Sequence, residues 1–410
     1  MKTYALTTLG CKVNQYEGDE IRAQLGDIEQ VPFSQPADLY IINTCSVTAE
    51  AEAKARQLIG RAKRASKDAT IILTGCWRAE EESSLRGLGV SLFFTNAEKN
   101  QIGNQLPIIP RLTVDKKWSR TRLFLKVQDG CDEHCSYCAI PGFRGELKSR
   151  EQTEVIDEIN ESIAAGVHEV VLTGIHLGKY GVDLDGKARL VDLIERILNQ
   201  TKLTRLRLSS IEPQEISDTL IDLMAADSRL ARHLHIPMQS GNDKILTLMR
   251  RVFTVKDHLA LFARIRSRIP EIGLSTDIIV GFPGETDDDF DDTLSVVKAA
   301  QFSRVHVFKF SARPNTTALK LPDQVNPQIR KTRSATLRGL VEKLGANFTA
   351  SFVGKEVFVL IERQKNGRQV GLTSEYIRVE FKQAYDTGGS IVKALGVGVE
   401  KQILLVKEKK

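Results

Sequence analysis

The segment DGCDEHCSYCAIPG, residues 129–142, holds three of the six cysteines of this 410-residue chain. Cys131, Cys135 and Cys138 are spaced C-x3-C-x2-C and directly follow a run whose pattern predicts a β-strand. Thiolate ligands favour zinc, copper(I) or an iron–sulfur cluster. Structural zinc takes four protein ligands, whereas a four-iron cluster held by three cysteines keeps one iron open. The loop therefore predicts an open iron–sulfur cluster, and a zinc site completed by His134 is the alternative.

The other three cysteines each follow a predicted strand. Cys11, Cys45 and Cys76 lie 34 and 31 residues apart, about the length of one strand–helix unit. The carboxyl ends of parallel strands meet at one edge of a sheet, where the ligand sites of open α/β sheets lie. We therefore expect these thiols to converge, and the alternative is that they are inert core cysteines. The predicted strands are 4–9, 39–44, 70–75 and a weaker 92–95, with helices at 17–25 and 49–65.

The whole chain has an α/β pattern that divides into regions. The first is predicted to be a parallel α/β sheet domain, closed by a linker with Pro107 and Pro110. The second alternates six strands with helices, which predicts a partial TIM-like (βα)6 barrel with its chemistry on the loops after the strands. A basic helical linker leads to a small antiparallel β-barrel. The predicted regions are, in order, 1–112, 118–326, 327–346 and 347–410.

The elements of the later regions follow from the same patterns. The strands predicted for the partial barrel are 123–128, 169–175, 205–210, 233–238, 275–280 and 305–310. Its predicted helices are 153–165, 191–198, 215–225, 255–268 and 286–300. The last region is predicted to contain a helix at 328–346 and strands at 356–361, 376–381 and 402–406.

Charge is concentrated near the C-terminus. Residues 351–410 carry 11 Lys or Arg and 7 Asp or Glu, so they supply +4 of the chain's net +6. The preceding helix adds Arg330, Lys331, Arg333 and Arg338. A small basic β-barrel suits single-stranded or looped RNA, and a solvated charged surface is the alternative. Apolar runs stay short of the roughly 18 residues of a membrane helix and a signal-peptide layout is absent, so we expect a cytoplasmic protein without membrane contact.

The cysteine loop at the end of the first barrel strand resembles the radical S-adenosylmethionine (SAM) superfamily. The resemblance implies that the open iron binds SAM and that the reduced cluster cleaves it to a 5′-deoxyadenosyl radical. Three further stretches match family motifs: LTGIHLG at 172–178, HIPMQSG at 235–241 and DIIVGFPGE at 277–285. Tyr137, just before the last cysteine of the loop, matches the residue that lies near the adenine in relatives. The other cofactor-binding residues that the resemblance implies are Thr173, Gly174, His176, His235, Gln239, Ser240 and Asp277.

Over nearly its whole length the chain resembles the methylthiotransferases of this superfamily. The motifs are GCKVNQYE at 10–17, NTCSVT at 43–48, TGC at 74–76 and IPGFRGELKSR at 140–150. The resemblance implies a second four-iron four-sulfur cluster on the first cysteine triad, whose open iron carries the sulfur to be transferred. It also implies two SAM molecules per turnover, one for methylation and one for hydrogen abstraction, and a C-terminal domain similar to a TRAM domain. The six expected cluster ligands are Cys11, Cys45, Cys76, Cys131, Cys135 and Cys138.

The substrate follows from finer similarities. Branches of the family act on threonylcarbamoyladenosine or isopentenyladenosine in tRNA, or on a ribosomal-protein aspartate, and GCKVNQ is similar to the first branch. The expected reaction is methylthiolation at tRNA position 37 within the anticodon stem-loop. The expected electron donor is a flavodoxin or ferredoxin, and the residues do not indicate a sulfur donor. Three departures from the family pattern, Lys148, Trp77 and Asn242, weaken the similarity without touching a cysteine.

Two further questions stay open at the level of sequence. An RNA-binding module with structural zinc sites is the alternative from another functional class. Polar residues near the motifs either line a pocket or serve as helix-start and turn residues. These residues are Asn14, Glu17, His176, Glu212 and Asp277.

Overall fold

The computed structural model describes residues 2–26, 28–106, 121–186, 188–365, 368–381 and 389–409. The predicted linker with Pro107 and Pro110, and the predicted domain boundaries at 112 and 118, lie outside the described residues. These boundaries therefore stay predictions.

The N-terminal region is a five-stranded parallel sheet with the strand order β2-β1-β3-β4-β5. Its central strand β3 is buried along its whole length, as expected for a parallel strand covered by helices on both faces. The strands are β1 (Thr3–Thr8), β2 (Glu29–Gln30), β3 (Leu39–Thr44), β4 (Thr70–Gly75) and β5 (Leu92–Phe94). The α-helices are α1 (Lys12–Gln24), α2 (Ala49–Ala65), α3 (Glu82–Gly87) and α4 (Ile102–Gln105).

Helix α1 begins earlier than predicted. Cys11 has extended backbone angles and is the N-cap, so the helix starts at Lys12 rather than at residue 17. The first turn contains no acidic residue and Cys11 makes no side-chain cap hydrogen bond, so the usual signals of a helix start are missing. The consequence is that Cys11 lies at the junction of a strand and a helix N-terminus.

The central region is an open half-barrel of six parallel strands in the order β6-β9-β10-β11-β12-β13. The strands are β6 (Arg122–Lys126), β9 (Glu169–Thr173), β10 (Arg205–Leu208), β11 (His233–His235), β12 (Gly273–Val280) and β13 (Arg304–Lys309). A small hairpin, β7 (Gln128–Asp129) and β8 (Lys148–Ser149), flanks the cysteine loop. The helices are α5 (Ile140–Arg144), α6 (Gln152–Ala164), α7 (Leu190–Gln200), α8 (Asp218–Ala226), α9 (Asp243–Leu248), α10 (Val255–Arg268) and α11 (Asp287–Ala300). The predicted partial barrel is confirmed, with element bounds that differ by at most three residues.

The inner face of the half-barrel is polar. Alternate strand residues such as Leu206 and Leu274 pack outward in the main hydrophobic core beneath the helices. Because side chains alternate along a strand, the residues between them face the interior. In closed TIM barrels that interior is a packed aliphatic core, so a polar one indicates space for a ligand. The polar residues on this face include Arg122, Glu169, Arg205, Arg207, His233, His235, Ser275, Asp277, Arg304 and His306, and they share it with a few apolar ones such as Val171 and Ile279.

The C-terminal region is a closed barrel in the order β14-β15-β16-β18-β17. Four neighbouring pairs are antiparallel and one, β16 with β18, is parallel. A ring with an odd number of strands cannot alternate direction throughout, so one parallel pair is unavoidable. Two of its strands, β15 and β17, were absent from the prediction. The strands are β14 (Glu356–Lys365), β15 (Arg368–Thr373), β16 (Arg378–Phe381), β17 (Ile391–Glu400) and β18 (Ile403–Glu408).

The helix predicted as a basic linker is α12 (Pro327–Ala350), and it packs on the half-barrel. Its Leu337 and Leu344 belong to the main hydrophobic core. Arg333 is buried in ion pairs with Glu285 and Asp287, so its charge is compensated inside the protein. Arg330 and Arg338 likewise donate to main-chain carbonyls of the half-barrel. Most of this basic charge therefore lies in contacts within the protein rather than on a free surface.

Across the described helices, none has the length and apolar character required to span a membrane.

A buried ion cluster joins the half-barrel to the C-terminal barrel. Glu169, fully buried on β9, accepts from Arg205 and Arg207 of the neighbouring strand. The remaining N–H groups of Arg207 donate to the carbonyls of Ser374 and Thr373, both at 2.9 Å. Burial alone favours protonation, but the two guanidinium groups lower the pKa of Glu169 to about 2. These paired charges thus attach the C-terminal barrel to the half-barrel near the first residues of β9 and β10.

We expect Glu169→Gln to destabilise the protein by about 3 kcal/mol, because it leaves two buried guanidinium groups without a counter-charge. Urea-induced unfolding measures this effect. The matched control is Glu82→Gln, which removes an exposed pair with Arg86 and should cost about 0.5 kcal/mol or less. Equal unfolding midpoints for the two variants would contradict the role of the buried cluster.

Candidate functional site

The structure brings the first three cysteines together at the carboxyl edge of the N-terminal sheet. Cys11, Cys45 and Cys76 follow β1, β3 and β4, and none is in a disulfide. Burial raises the pKa of Cys45 to about 11, and the charges of Cys76 and Cys11 act in the same direction. Three converging thiols that form no disulfide offer soft ligands to one metal centre.

Glycine before the cysteine permits this convergence. Gly10 has φ +94°, and a Cβ atom there would lie 2.7 Å from Cβ and 2.9 Å from Sγ of Cys45. Gly75, before Cys76, has φ +99° and would collide with the main chain of Thr44. Residues with a side chain rarely adopt these angles. The two glycines therefore let the cysteine turns approach one another.

Asn14 holds two of these turns in place. It is fully buried, and its Nδ2 donates to the carbonyls of Leu9 and Thr44, both at 2.9 Å. Asn43 Nδ2 donates in turn to the main-chain carbonyl of Asn14. Asn14 is thus a positioning residue behind the cysteines rather than a group that lines a pocket.

The second triad lies on the loop between β7 and α5. Cys131, Cys135 and Cys138 are each partly buried. Burial raises the pKa of Cys138 to about 12. Ile140 donates its main-chain N–H to Cys138 Sγ at 3.4 Å, and Arg251 Nη1 lies 3.8 Å from Cys135 Sγ. N–H donors aimed at sulfur are typical of the surroundings of iron–sulfur clusters.

The histidine that contacts the second cysteine loop is His176, whereas the zinc alternative considered His134. His176 Nδ1 lies 3.6 Å from Cys131 Sγ, while its Nε2 lies 2.6 Å from a carboxylate oxygen of Glu215. Gln128 accepts from the main-chain N–H of His176 at 2.7 Å. His134 is exposed on the same loop. The structure therefore does not support His134 as the fourth ligand of a zinc site with Cys131, Cys135 and Cys138.

The carboxyl ends of the barrel strands carry free polar groups. Thr173, at the end of β9, is buried, and its hydroxyl has no hydrogen-bond partner among the described residues. Ser209, just after the neighbouring strand β10, has the same property. Buried hydroxyl groups are nearly always satisfied in a complete structure. Two unsatisfied ones beside the cysteine loop fit a polar ligand such as SAM.

The other predicted cofactor residues occupy varied positions. Gly174 packs against Gln128, and Tyr137 packs with an apolar cluster that includes Phe282 and Phe310. Gln239 has φ +73°, and its main chain bonds to β12 through Asp277 and Ile279. Ser240 is buried and accepts from Asn242. His235 and Asp277 bond to one another at 3.1 Å on the inner face, and His306 bonds to the same carboxylate oxygen.

Arg251 is a site residue that sequence reasoning missed. It forms an ion pair with Glu212 and donates to the carbonyl of Pro237 at 3.1 Å. Together with its contact to Cys135, these bonds join three loops around the second triad. In the sequence, Arg251 is distinguished only by its neighbour Arg250, and two adjacent arginines do not indicate a functional site.

Cys135 and Cys138 of the second triad line a cavity of about 490 Å³, and Gly75 and Trp77, the chain neighbours of Cys76, line its opposite wall. Asn96 links their loops, because its Nδ2 lies 3.8 Å from Cys76 Sγ and donates to the carbonyl of Phe143 at 2.9 Å. The lining residues come from the N-terminal sheet, the second cysteine loop and the segment after β13. They include Gly75, Trp77, Arg78, Asn96, Cys135, Cys138, Phe143, Arg250, Asn315 and Thr317. The turn that carries Cys76 and the second cysteine loop thus lie next to one another at this cavity.

Comparison with known proteins identifies the family. The Radical SAM superfamily model matches residues 125–297, and the model of uncharacterized protein family UPF0004 matches residues 3–93. The "Threonylcarbamoyladenosine tRNA methylthiotransferase MtaB" of Bacillus subtilis is 34% identical, over 96% of this chain and 93% of that protein. Its namesake from Thermotoga maritima is 37% identical, over 93% and 92%. The chain belongs to the radical SAM methylthiotransferase family.

Other relatives of this methylthiotransferase are named for a different tRNA nucleoside. The "tRNA-2-methylthio-N(6)-dimethylallyladenosine synthase" of Chloroflexus aurantiacus is 33% identical, over 95% of this chain and 88% of that protein. Among solved structures, the radical SAM methyltransferase TsrM of Kitasatospora setae has a TM-score of 0.56 at 16% identity, covering 77% of each chain. That likeness concerns the fold and confirms the predicted radical SAM architecture.

Membership implies SAM and a four-iron four-sulfur cluster as cofactors. The second cysteine triad fits such a cluster, because it offers three thiols and leaves one metal position without a protein ligand. The unsatisfied hydroxyl groups of Thr173 and Ser209 fit a polar cofactor beside it.

A buried ion network sets the two triads of the methylthiotransferase relative to each other. Glu17, on α1, pairs with Arg144 at 2.6 Å and Lys126 at 3.0 Å, and also with Lys99. Burial opposes ionisation, but these cations hold the pKa of Glu17 well below its ordinary value. Arg144 lies directly after the second cysteine loop and also donates to Asn14. Glu17 is therefore an interdomain anchor, and the pocket role considered for it is not supported.

We expect Gly10→Ala to remove iron selectively from the first triad, because the added Cβ collides with Cys45 at a backbone angle that alanine avoids. Iron and sulfide analysis after anaerobic reconstitution should give about half the wild-type content per chain. The matched control is Gly87→Ala on α3, where an added Cβ meets nothing within 4 Å. Full iron content in the Gly10 variant would contradict the assignment.

Proposed function

We propose that this methylthiotransferase converts N6-threonylcarbamoyladenosine at tRNA position 37 into its 2-methylthio derivative. The observation that carries the proposal is that Asn96 joins the Cys76 turn to the segment after the second cysteine loop, beside a cavity lined by Cys135 and Cys138. Transfer of sulfur to an unreactive C–H bond needs a hydrogen-abstracting centre and a sulfur-bearing centre at one substrate atom. The Bacillus subtilis and Thermotoga maritima relatives, both named as threonylcarbamoyladenosine methylthiotransferases, support the choice of nucleoside.

We assign one cluster to each triad. Cys131, Cys135 and Cys138 hold the cluster that binds SAM, and Cys11, Cys45 and Cys76 hold the second. When bound, the first supplies the electron that cleaves SAM homolytically, and the second supplies sulfur for transfer. The grouping of the six cysteines into two sets of three and the absence of disulfides among them support these assignments.

The protein's own residues prepare the geometry. Asn14 and the Glu17 network hold the first triad against the half-barrel, and Asn96 links the two cysteine loops. Of the residues assigned to SAM, Tyr137 lies within the second cysteine loop and His176 contacts Cys131. Rigid placement of this kind matters because a radical reacts with whichever bond lies closest.

The RNA partner is assigned to the C-terminal barrel, which we consider TRAM-like. Several of its cations are paired within the protein, as Lys355 is with Glu271 and Lys393 is with Glu356. Arg378 and Lys401, by contrast, are exposed beside a cavity at the junction with α12. Exposed cations beside a small barrel suit the backbone of an anticodon stem-loop. A cytoplasmic location and a flavodoxin or ferredoxin as electron donor complete the proposal.

We expect Cys76→Ala to abolish methylthiolation while SAM cleavage persists, because only the second cluster loses a ligand. The matched variant Cys138→Ala should lose both activities. Anaerobic assays that quantify 5′-deoxyadenosine and modified nucleoside measure the two separately. Loss of both activities in folded Cys76→Ala protein would contradict separate roles for the triads.

We expect tRNA from cells that lack the protein to retain threonylcarbamoyladenosine and lose its 2-methylthio form, as measured by mass spectrometry of nucleosides. Loss of the 2-methylthio form of isopentenyladenosine instead would assign the other tRNA substrate, and unchanged tRNA with altered ribosomal protein would assign the third branch.

A colourless, zinc-containing protein after anaerobic purification would support the RNA-binding alternative and contradict the proposed enzymatic activity.

A further inference from the structure

The last strand of the half-barrel, β13, presents two exposed side chains to the interior. Val305 and Val307 are buried in the main hydrophobic core beneath the helices, whereas His306 and Phe308 between and after them are exposed. His306 Nδ1 lies 3.1 Å from Oδ1 of Asp277 on the inner face of β12, so His306 is on the inner face too. Phe308 lies two residues further along the strand and therefore shares that face. It is 40% exposed, an unusual state for a phenylalanine inside a concave surface.

The segment that follows β13 is held by both cysteine regions. Ser311 Oγ accepts from the main-chain N–H of Ala49, at the start of the helix that follows Cys45, at 3.2 Å. Ala318 donates its main-chain N–H to the carbonyl of Ser136, within the second cysteine loop, at 2.8 Å. The carboxyl end of β13, where Phe308 lies, therefore leads directly into the segment that joins the two cysteine regions.

His306 is oriented by its carboxylate partner. His235 uses both ring nitrogens, because Nδ1 lies 2.9 Å from Ser275 Oγ and Nε2 lies 3.1 Å from Asp277 Oδ1. The same carboxylate oxygen accepts from Nδ1 of His306, which fixes the proton on that nitrogen. Within the residues that the structure describes, Nε2 of His306 has no hydrogen-bond partner. His306 thus offers one ring nitrogen to a ligand beside the ring of Phe308.

An exposed aromatic ring next to a free hydrogen-bonding nitrogen suits a nucleobase. Unstacked RNA bases bind to proteins by stacking on aromatic side chains and by hydrogen bonds along their edges. An enzyme that reacts at an atom of a base takes that base out of its stack and holds it in a pocket. Stacking covers a face of the ring and leaves its edges free, so C2 of a bound adenine stays accessible. An aspartate side chain, the substrate of another family branch, has no ring to stack.

We propose that Phe308 and His306 form a platform that binds the unstacked adenine of the tRNA substrate. Phe308 stacks on the face of the base, and Nε2 of His306 forms a hydrogen bond with its edge. This proposal rests on the proposed function, in which the modified group is an adenosine. The platform holds the base and not the N6 substituent, so it serves either tRNA nucleoside of the family.

The test compares two synthetic anticodon stem-loop RNAs, one with N6-threonylcarbamoyladenosine at position 37 and one with an abasic nucleotide there. Binding to the reconstituted, unreduced enzyme is measured by fluorescence anisotropy. We expect the wild type to bind the first RNA about tenfold more tightly, because the abasic RNA loses the stacked base. Phe308→Leu should reduce this ratio to about two, whereas Phe308→Tyr, which keeps an aromatic ring, should retain most of it. His306→Ala should lower the ratio independently.

The matched control is Phe358→Leu, which changes an exposed phenylalanine of β14 in the C-terminal barrel and should leave the ratio unchanged. Equal binding of the two RNAs by the wild type would overturn the platform, and so would an unchanged ratio in both Phe308→Leu and His306→Ala. A folded, iron-loaded wild type that shows the expected ratio but methylthiolates no tRNA would instead overturn the proposed function. The histidine variant keeps the test decisive if Phe308→Leu impairs folding.

Discussion

The geometry of this methylthiotransferase depends on the buried carboxylate of Glu17. It lies on the helix that starts at Cys11, and its main partner Arg144 lies directly after the second cysteine loop. A buried carboxylate is tolerated only when it is paired, so the two domains have one favourable way to pack. Asn14 and Asn96 complete the connection through hydrogen bonds to the cysteine turns. The contacts that dock the two domains are therefore also the contacts that hold the cysteine turns in place.

The polar inner face of the half-barrel explains how one fold serves both cofactor and substrate. Aliphatic residues of each strand pack outward beneath the helices, which provides stability without filling the interior. At the carboxyl ends, Thr173 and Ser209 have unsatisfied hydroxyl groups beside the second triad. At the strand starts, Glu169 and its arginine partners attach the C-terminal barrel. Stability and binding are thus divided between the two faces and the two ends of the same strands.

Local patterns predicted the strands and helices of the half-barrel and the convergence of Cys11, Cys45 and Cys76, because both follow from period-two burial and parallel topology. The sequence could not predict contacts between distant domains. Glu17 looked like a pocket residue because its three cations are remote in sequence, and Arg251 carried no motif. The basic charge of α12 suggested an RNA surface. Arg333, however, forms ion pairs within the protein. Such assignments depend on tertiary structure alone.

The central claim is that two cysteine triads, joined through Asn96, hold two open clusters close to one another. Electron paramagnetic resonance of the anaerobically reconstituted and reduced protein tests it most directly. The account predicts signals of two four-iron four-sulfur clusters that are broadened by their mutual magnetic interaction, and recovery of a single unbroadened signal in the Cys76→Ala variant. A single cluster in the wild type, or two clusters without interaction, would contradict it.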